Sequence, residues 1–383
     1  MTEIIPAARE LAEKIAGLTP SEHGFSHLHL TRPATGSGDL DGWVIPAKDL
    51  YDVAGMPTTF GSARRMHIAT ETHPFIAAYE ARGAVIPGKS STSELGLTVD
   101  AEPRDLPHVD NPIWPGHTPG GSSGGAAAMV ARGLVRAAHA SDGGGSIRVP
   151  AAACGLVGFK PSAHTIAVHG FMTTSIDDQA LLHEITPRLD RRVRVGLLTE
   201  PILAETDVQP EWEKATREAA EHLAAAGHEV VEVSTWPEAT ETFERFIDLF
   251  SYGLTSLEEA DYIAAWLRER GAKVSARRYA ESQTYARVLK ARMARHYDVD
   301  VLLTPTLAGD PPETGTFSSL SPEENFAAQT RWTPWTSLFN MSGSCAIALP
   351  WPVPNRPQPA SVHLASLTLT DAQLLALAAE LPQ

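Results

Sequence analysis

The chain has 383 residues, 43% hydrophobic and 20% charged, an ordinary globular balance with enough length for a large buried core. Lys and Arg number 31 against 46 Asp and Glu, a formal net charge of −15 that argues against general nucleic-acid or anionic-membrane binding, since both need basic surface. Two cysteines, Cys154 and Cys345, are too few for a disulfide framework and point to a reducing, cytoplasmic setting.

The first 18 residues mix Glu, Arg and Lys through their apolar positions. That pattern predicts an amphipathic helix over 8–18 and not a signal peptide. No apolar run approaches the roughly 18 residues of a membrane span. Residues 42–62 form a short apolar run followed by turn-rich sequence, 70–82 have helical spacing, and AVIPG at 84–88 reads as a buried strand. From 116 to 162 Gly, Ser and Ala crowd together with little charge. Alternation returns at 192–198 and 228–234, two strands with a helix-like stretch at 210–226 between them, as in a crossover joining parallel strands. Residues 258–271 and 276–297 read as helices with Gly271 as the stop between them. Strands are expected at 299–305, 345–350 and 361–367, and a closing helix at 370–381. Strands alternating with helices predict an α/β fold around one sheet. There is no internal repeat. The Pro-rich stretch 350–359 reads as a surface loop, and no domain boundary is evident.

Two glycine-rich stretches carry the chemistry, PGGSSGGAAAMVARGLV at 119–135 and SDGGGSIRVPAAACGLVGFKPS at 141–162. A Gly-Ser run can be a flexible linker, but this one leads directly into an Ala-rich, helix-like segment. Consecutive glycines let successive N–H groups converge on an anion, because no Cβ blocks that geometry. A phosphate is disfavoured: neither GxxxxGK[ST] nor a strand-to-helix GxGxxG is present, and Gly143–Ser146 runs into Ile147, Arg148 and Val149 and not into a helix opening. A developing oxyanion fits better, since the nest ends on a reactive group, Ser146. A serine nucleophile needs a base. His117 and His139 are near in sequence, but no GxSxG elbow surrounds Ser146. A buried, neutral lysine is the other solution, and Lys48, Lys89 and Lys160 are all candidates. His27 and His29 would share one face of a strand, yet no carboxylate pattern accompanies them and HExxH is absent, so ordinary histidines are expected there.

These residues together resemble the amidase signature family. The core from Gly120 to Pro161 is similar to that family's signature over its whole length, and GWVIPAKDLYDVAGMPTTFGS at 42–62 resembles its lysine-bearing segment. RGAVIPGKSSTSELG, DVLLTPT and PWTSLFNMSGSCAIALP resemble later motifs, so the likeness runs from about residue 40 to the C-terminus and is thinner at 170–295. The resemblance implies one α/β domain over 1–383, with a central mixed, twisted sheet flanked by helices on both faces. The signature core would span about 40–162, and 163–383 would complete the sheet and the pocket. It implies Lys48 as base, Ser122 as bridging serine after a cis peptide bond, and Ser146 as the acylated serine. Ser122 lies 74 residues after Lys48 and 24 before Ser146, spacings that agree with the family. Gly143, Gly144, Gly145 and Ser146 would supply the oxyanion hole. Ser123, Asp142 and Arg148 would brace the site, Leu97 and Thr98 would wall the acyl pocket, and Lys89 would be structural.

The implied activity is hydrolysis of a small carboxylic amide, with esters or carbamates as further substrates. No cofactor, metal, nucleic acid or membrane is implied, and a homo-oligomer is left open. Two alternatives stand beside it: the glutamine-hydrolysing subunit of a tRNA amidotransferase, and a non-catalytic member. The family's LD-x-x-GP loop is absent after HTIAVHG, and 235–260 looks abbreviated. A more open site is therefore expected, partly closed by residues 245–275 or by a partner subunit.

Overall fold

The computed structural model describes residues 4–382. Five short strands come first: β1 (Phe25–Leu28), β2 (Ala47–Lys48), β3 (Pro57–Thr58), β4 (His67–Ile68) and β5 (Gly88–Ser90). β1, β5 and β2 make a small sheet in that order, and β3 pairs with β4. Eight more follow: β6 (Ala138–Asp142), β7 (Val157–Lys160), β8 (Val168–Thr173), β9 (Arg194–Leu197), β10 (Glu229–Glu232), β11 (Val301–Pro305), β12 (Ala346–Trp351) and β13 (Ala360–Ser366). They form one mixed sheet in the order β10–β9–β11–β13–β12–β7–β8–β6. β10, β9 and β11 run parallel, and every other neighbouring pair is antiparallel.

The parallel pair β9–β10 is joined by the helix Pro210–Ala225, as the alternation at 192–234 predicts. Pro210 opens that helix where a missing N–H costs nothing. Trp212, Ala215, Ala219 and Leu223 recur at helical spacing and are buried against the sheet. Strand alternation splits the core between two faces. Ile347 and Leu349 of β12 pack with Trp212 and Leu375 on one side, while Ala346 packs with Phe339 and Met293 on the other. Each large apolar side chain buried this way contributes about 1.5–3 kcal/mol. Helices thus cover both faces of the sheet.

Several elements differ from the sequence expectation. At 84–87 only Val85 pairs, through an isolated bridge to Val44, and the strand begins at Gly88, after Pro87, which has no N–H to give to a ladder. Gly271 does not stop a helix: the helix runs Tyr262–Ala272, and a Cβ at Gly271 would stand 2.2 Å from the Ser251 carbonyl oxygen. The glycine is there for close helix–helix approach, and Ser275 caps the next helix, Ala276–Tyr297, by accepting from the Arg278 N–H. The segment 235–260, for which no element was expected, carries one helix, Ala239–Tyr252. A short helix, Arg148–Ala153, does open just after Ser146, against the expectation that none would; Pro150 is tolerated in its first turn. Among the described residues no helix is long and apolar enough to cross a membrane.

Candidate active site

Three segments converge on one buried point. β2 carries Lys48, the turn before the helix Gly124–Ala131 carries Ser122 and Ser123, and β6 ends on Asp142 and leads into the loop that carries Gly143 to Ser146. The Lys48 side chain is fully buried, and its Nζ donates to Ser122 Oγ at 2.7 Å and to Ser123 Oγ at 2.8 Å. It also reaches Ser141 Oγ at 3.1 Å. Burial pulls the Lys48 ammonium down to about 7, with the nearby Asp142 carboxylate pulling the other way. The Gly121–Ser122 peptide bond is cis. The Lys48 backbone N–H donates to His139 Nδ1 at 3.2 Å, and His139 Nε2 lies 3.1 Å from His169 Nδ1. Since Nδ1 accepts, the His139 proton sits on Nε2 and points at His169.

The other two lysines are engaged elsewhere. Lys89 Nζ donates to Thr58 Oγ1 at 2.8 Å and pairs with Asp49 at 3.2 Å. Lys160 Nζ donates to the Ser344 carbonyl at 2.7 Å.

The glycine-rich loop that ends on Ser146 is wound around Asp142. Its carboxylate accepts from the N–H groups of Gly145 (2.7 Å), Ile147 (3.1 Å) and Arg148 (3.4 Å). The buried Arg148 guanidinium closes on it with Nη2 at 2.9 Å and Nε at 3.0 Å. Burial alone would raise this carboxyl, but the Arg148 charge and hydrogen bonds outweigh it and hold Asp142 well below the usual range. Asn340 Nδ2 donates to the Asp142 carbonyl at 3.0 Å and to its carboxylate at 2.9 Å, and Asn340 Oδ1 accepts from Arg148 Nη2 at 2.7 Å. Thr336 Oγ1 donates to the Gly144 carbonyl at 2.7 Å. Gly145 has φ +131°, and a Cβ there would fall 2.5 Å from Thr336 Oγ1, so only glycine fits.

The structure therefore brings Lys48, Ser122, Ser123, Asp142, Arg148 and Ser146 into one region. It treats the expected oxyanion donors unequally. The Gly145 N–H is already given to Asp142, whereas those of Gly143, Gly144 and Ser146 have no acceptor among the described residues. Ser122 Oγ is engaged by Lys48 Nζ, and Ser146 Oγ makes no hydrogen bond to it. Leu97 and Thr98 line the same cleft as Ser146. The helix Ala239–Tyr252 adds Phe243, Phe246 and Phe250 to that cleft, which encloses about 560 Å³ including its mouth. Sequence reasoning missed Ser141, Thr336 and Asn340 as bracing residues. The Asn340 segment was visible as a motif, but its contact with Asp142 crosses almost 200 residues.

The chain is similar to known proteins over most of its length. The family model described as Amidase matches residues 28–187 and 255–375. The Mycobacterium tuberculosis protein named "Putative amidase AmiB2" is 32% identical over 377 residues, covering 89% of this chain and 81% of the relative. The Mycobacterium leprae protein named "Putative amidase AmiC" is 31% identical over 406 residues, covering 94% and 86%. The solved structure of 6-aminohexanoate cyclic dimer hydrolase superposes with a TM-score of 0.83 at 25% identity, covering 98% of this chain and 93% of that one. A buried Lys–Ser pair behind a glycine-rich serine loop, together with these matches, makes the chain a member of the amidase signature family of amide-hydrolysing enzymes.

Proposed function

We propose that the protein cleaves the C–N bond of a small-molecule carboxylic amide through an acyl-enzyme on Ser146, with Ser122 and Lys48 as the proton relay. One observation carries the reading: a fully buried lysine, drawn down to about 7, stands 2.7 Å from Ser122 Oγ. Neutral Lys48 takes the Ser122 proton as Ser122 takes that of Ser146, and Ser146 Oγ bonds to the carbonyl carbon. The oxyanion is met by the unpaired N–H groups of Gly143, Gly144 and Ser146, and losing one such donor typically costs about 10²–10³ in rate. Gly145 instead orients the loop by donating to Asp142. The C–N bond then breaks as Ser122 returns the proton to the departing amine, which leaves badly as an anion. Water enters by the same relay, releases the acid and restores Ser146. Esters and carbamates are open to the same acylation, and no cofactor is needed for any step.

The cleft favours this over glutamine hydrolysis. Its lining from Gly96 to Ser337 includes no Asp, Glu, Lys or Arg to pair with an amino acid head group. The test is a panel of anilides, aliphatic amides, carbamates and glutamine, beside fluorophosphonate labelling of wild type and Ser146→Ala. Amine release and labelling by wild type alone are expected. Ammonia from glutamine alone would move the protein to the amidotransferase class, and absence of both turnover and labelling would indicate a non-catalytic member.

A further inference from the structure

The cleft beside Ser146 is walled on one side by four phenylalanines. Phe243, Phe246 and Phe250 lie at helical spacing on one face of Ala239–Tyr252, and Phe326 joins them from the helix Pro322–Trp332. Their rings are nearly parallel. Phe243 and Phe246 are 6.3 Å apart at 11°, Phe246 and Phe250 are 5.5 Å apart at 16°, and Phe243 and Phe326 are 6.3 Å apart at 22°. The edge of Phe246 reaches Gly144: a Cβ on that glycine would touch Phe246 Cζ at 3.4 Å. The aromatic wall thus begins at the oxyanion loop itself.

The polar side chains of this cleft are mostly used up by the protein. Gln329 Oε1 accepts from the Val99 N–H at 2.6 Å, and its Nε2 donates to Asn325. Thr330 and Thr333 hydroxyls donate to their own helix, to the Phe326 and Gln329 carbonyls. Thr98 Oγ1 donates to Asp100 at 2.8 Å. Besides Ser146, Ser337 is the one hydroxyl residue of this lining whose side chain makes no hydrogen bond among the described residues, and its Cβ lies beside Gly144. A charged or strongly polar acyl group would lose its water and find almost nothing in return. A flat apolar one would continue the stack of rings.

We propose that the substrate is an amide whose acyl portion is an uncharged aromatic group seated on the Phe246–Phe250 wall, with Ser337 as its one side-chain hydrogen-bond partner beyond the reacting centre. This rests on the reading that Ser146 is acylated. The assay is kcat/KM for p-nitroanilides sharing one amine, with acetyl, benzoyl, phenylacetyl and 4-carboxybenzoyl groups. From the apolar area removed from water, the aromatic acyl groups should exceed acetyl by about tenfold or more, and the carboxylated one should lose that gain. The aromatic-to-acetyl ratio should fall toward one in Phe250→Ala and Phe326→Ala, both half-buried positions whose folding is checked by thermal melting. Acetyl matching benzoyl, a preference for the carboxylated group, or an unchanged ratio in both folded variants would overturn the inference. Failure of every anilide together with no fluorophosphonate labelling of Ser146 would instead overturn the acyl-enzyme reading beneath it.

Discussion

Lowering the pH should switch the relay off at its lysine. Lys48 is fully buried, and that burial brings its ammonium down to about 7. Only the neutral amine can take a proton from Ser122, so the active fraction should fall roughly tenfold between pH 8 and pH 6. Removing the amine with Lys48→Met should cost about 10²–10⁴ in rate, the usual worth of a positioned base. The assay is the rate of Ser146 modification by a fluorophosphonate, followed by intact mass, which does not depend on knowing the substrate. A second group titrates in this window: burial raises the Asp100 carboxyl to about 7. Asp100→Asn is therefore the control, and its acid limb should stay where the wild-type limb lies. A labelling rate that is flat from pH 6 to pH 8, or Lys48→Met labelled at the wild-type rate, would refute the assignment of the base. So would loss of the limb in Asp100→Asn. The same lysine has a stability signature. Unfolded, it keeps its proton up to the ordinary lysine value of 10.5, so between about 7 and 10.5 the unfolded state binds more protons and stability should rise with pH.

Asp100 gives the opposite sign. From the ordinary aspartate value of 3.8 up to about 7 the folded state keeps a proton that the unfolded state has lost, so its contribution to stability falls as pH rises. Asp100→Asn keeps an acceptor for Thr98 Oγ1 and the Glu102 N–H, and should stabilise the protein by on the order of 2–4 kcal/mol at pH 8 but not at pH 4. Urea melts giving the same difference at both pH values would contradict this. Arg148→Met leaves the buried Asp142 carboxylate without its cation and should cost about 3–5 kcal/mol in urea unfolding; a loss below 1 kcal/mol would mean the loop is held by other bonds. His139→Leu leaves the Lys48 N–H buried without an acceptor, a cost of about 1–3 kcal/mol. His139→Asn should recover part of it, and equal stability of the two variants would show that the contact is not felt.

Much of the C-terminal half could be read directly, because its elements announce themselves locally. β9, the helix Pro210–Ala225, β10, β11, β12, β13 and the helix Asp371–Ala378 all fall where periodicity and punctuation put them. β6, β7 and β8 were hidden. β6 is mostly Ala and Ser, and almost every residue in all three strands is buried, so no apolar–polar alternation marks them. Gly271 was misread because a glycine serving close packing and a glycine ending a helix look alike in one dimension.

The sequence by itself determined the chemistry on offer: a serine at the end of a glycine nest, a serine pair 24 residues before it, and three lysines that could serve as base. On residues alone those lysines were equivalent, and only the motif around Lys48 separated them. The tertiary structure decided their states. It paired Lys89 with Asp49, gave Lys160 to a carbonyl, and left Lys48 against hydroxyls with little to hold its charge. It also turned the Gly145 N–H toward Asp142 and set four phenylalanines from two distant helices over the serine loop. Protonation depends on solvent exclusion and on charges within a few ångströms, and a pocket depends on which faces meet. Both are properties of packing between segments far apart in the chain, which local sequence does not encode.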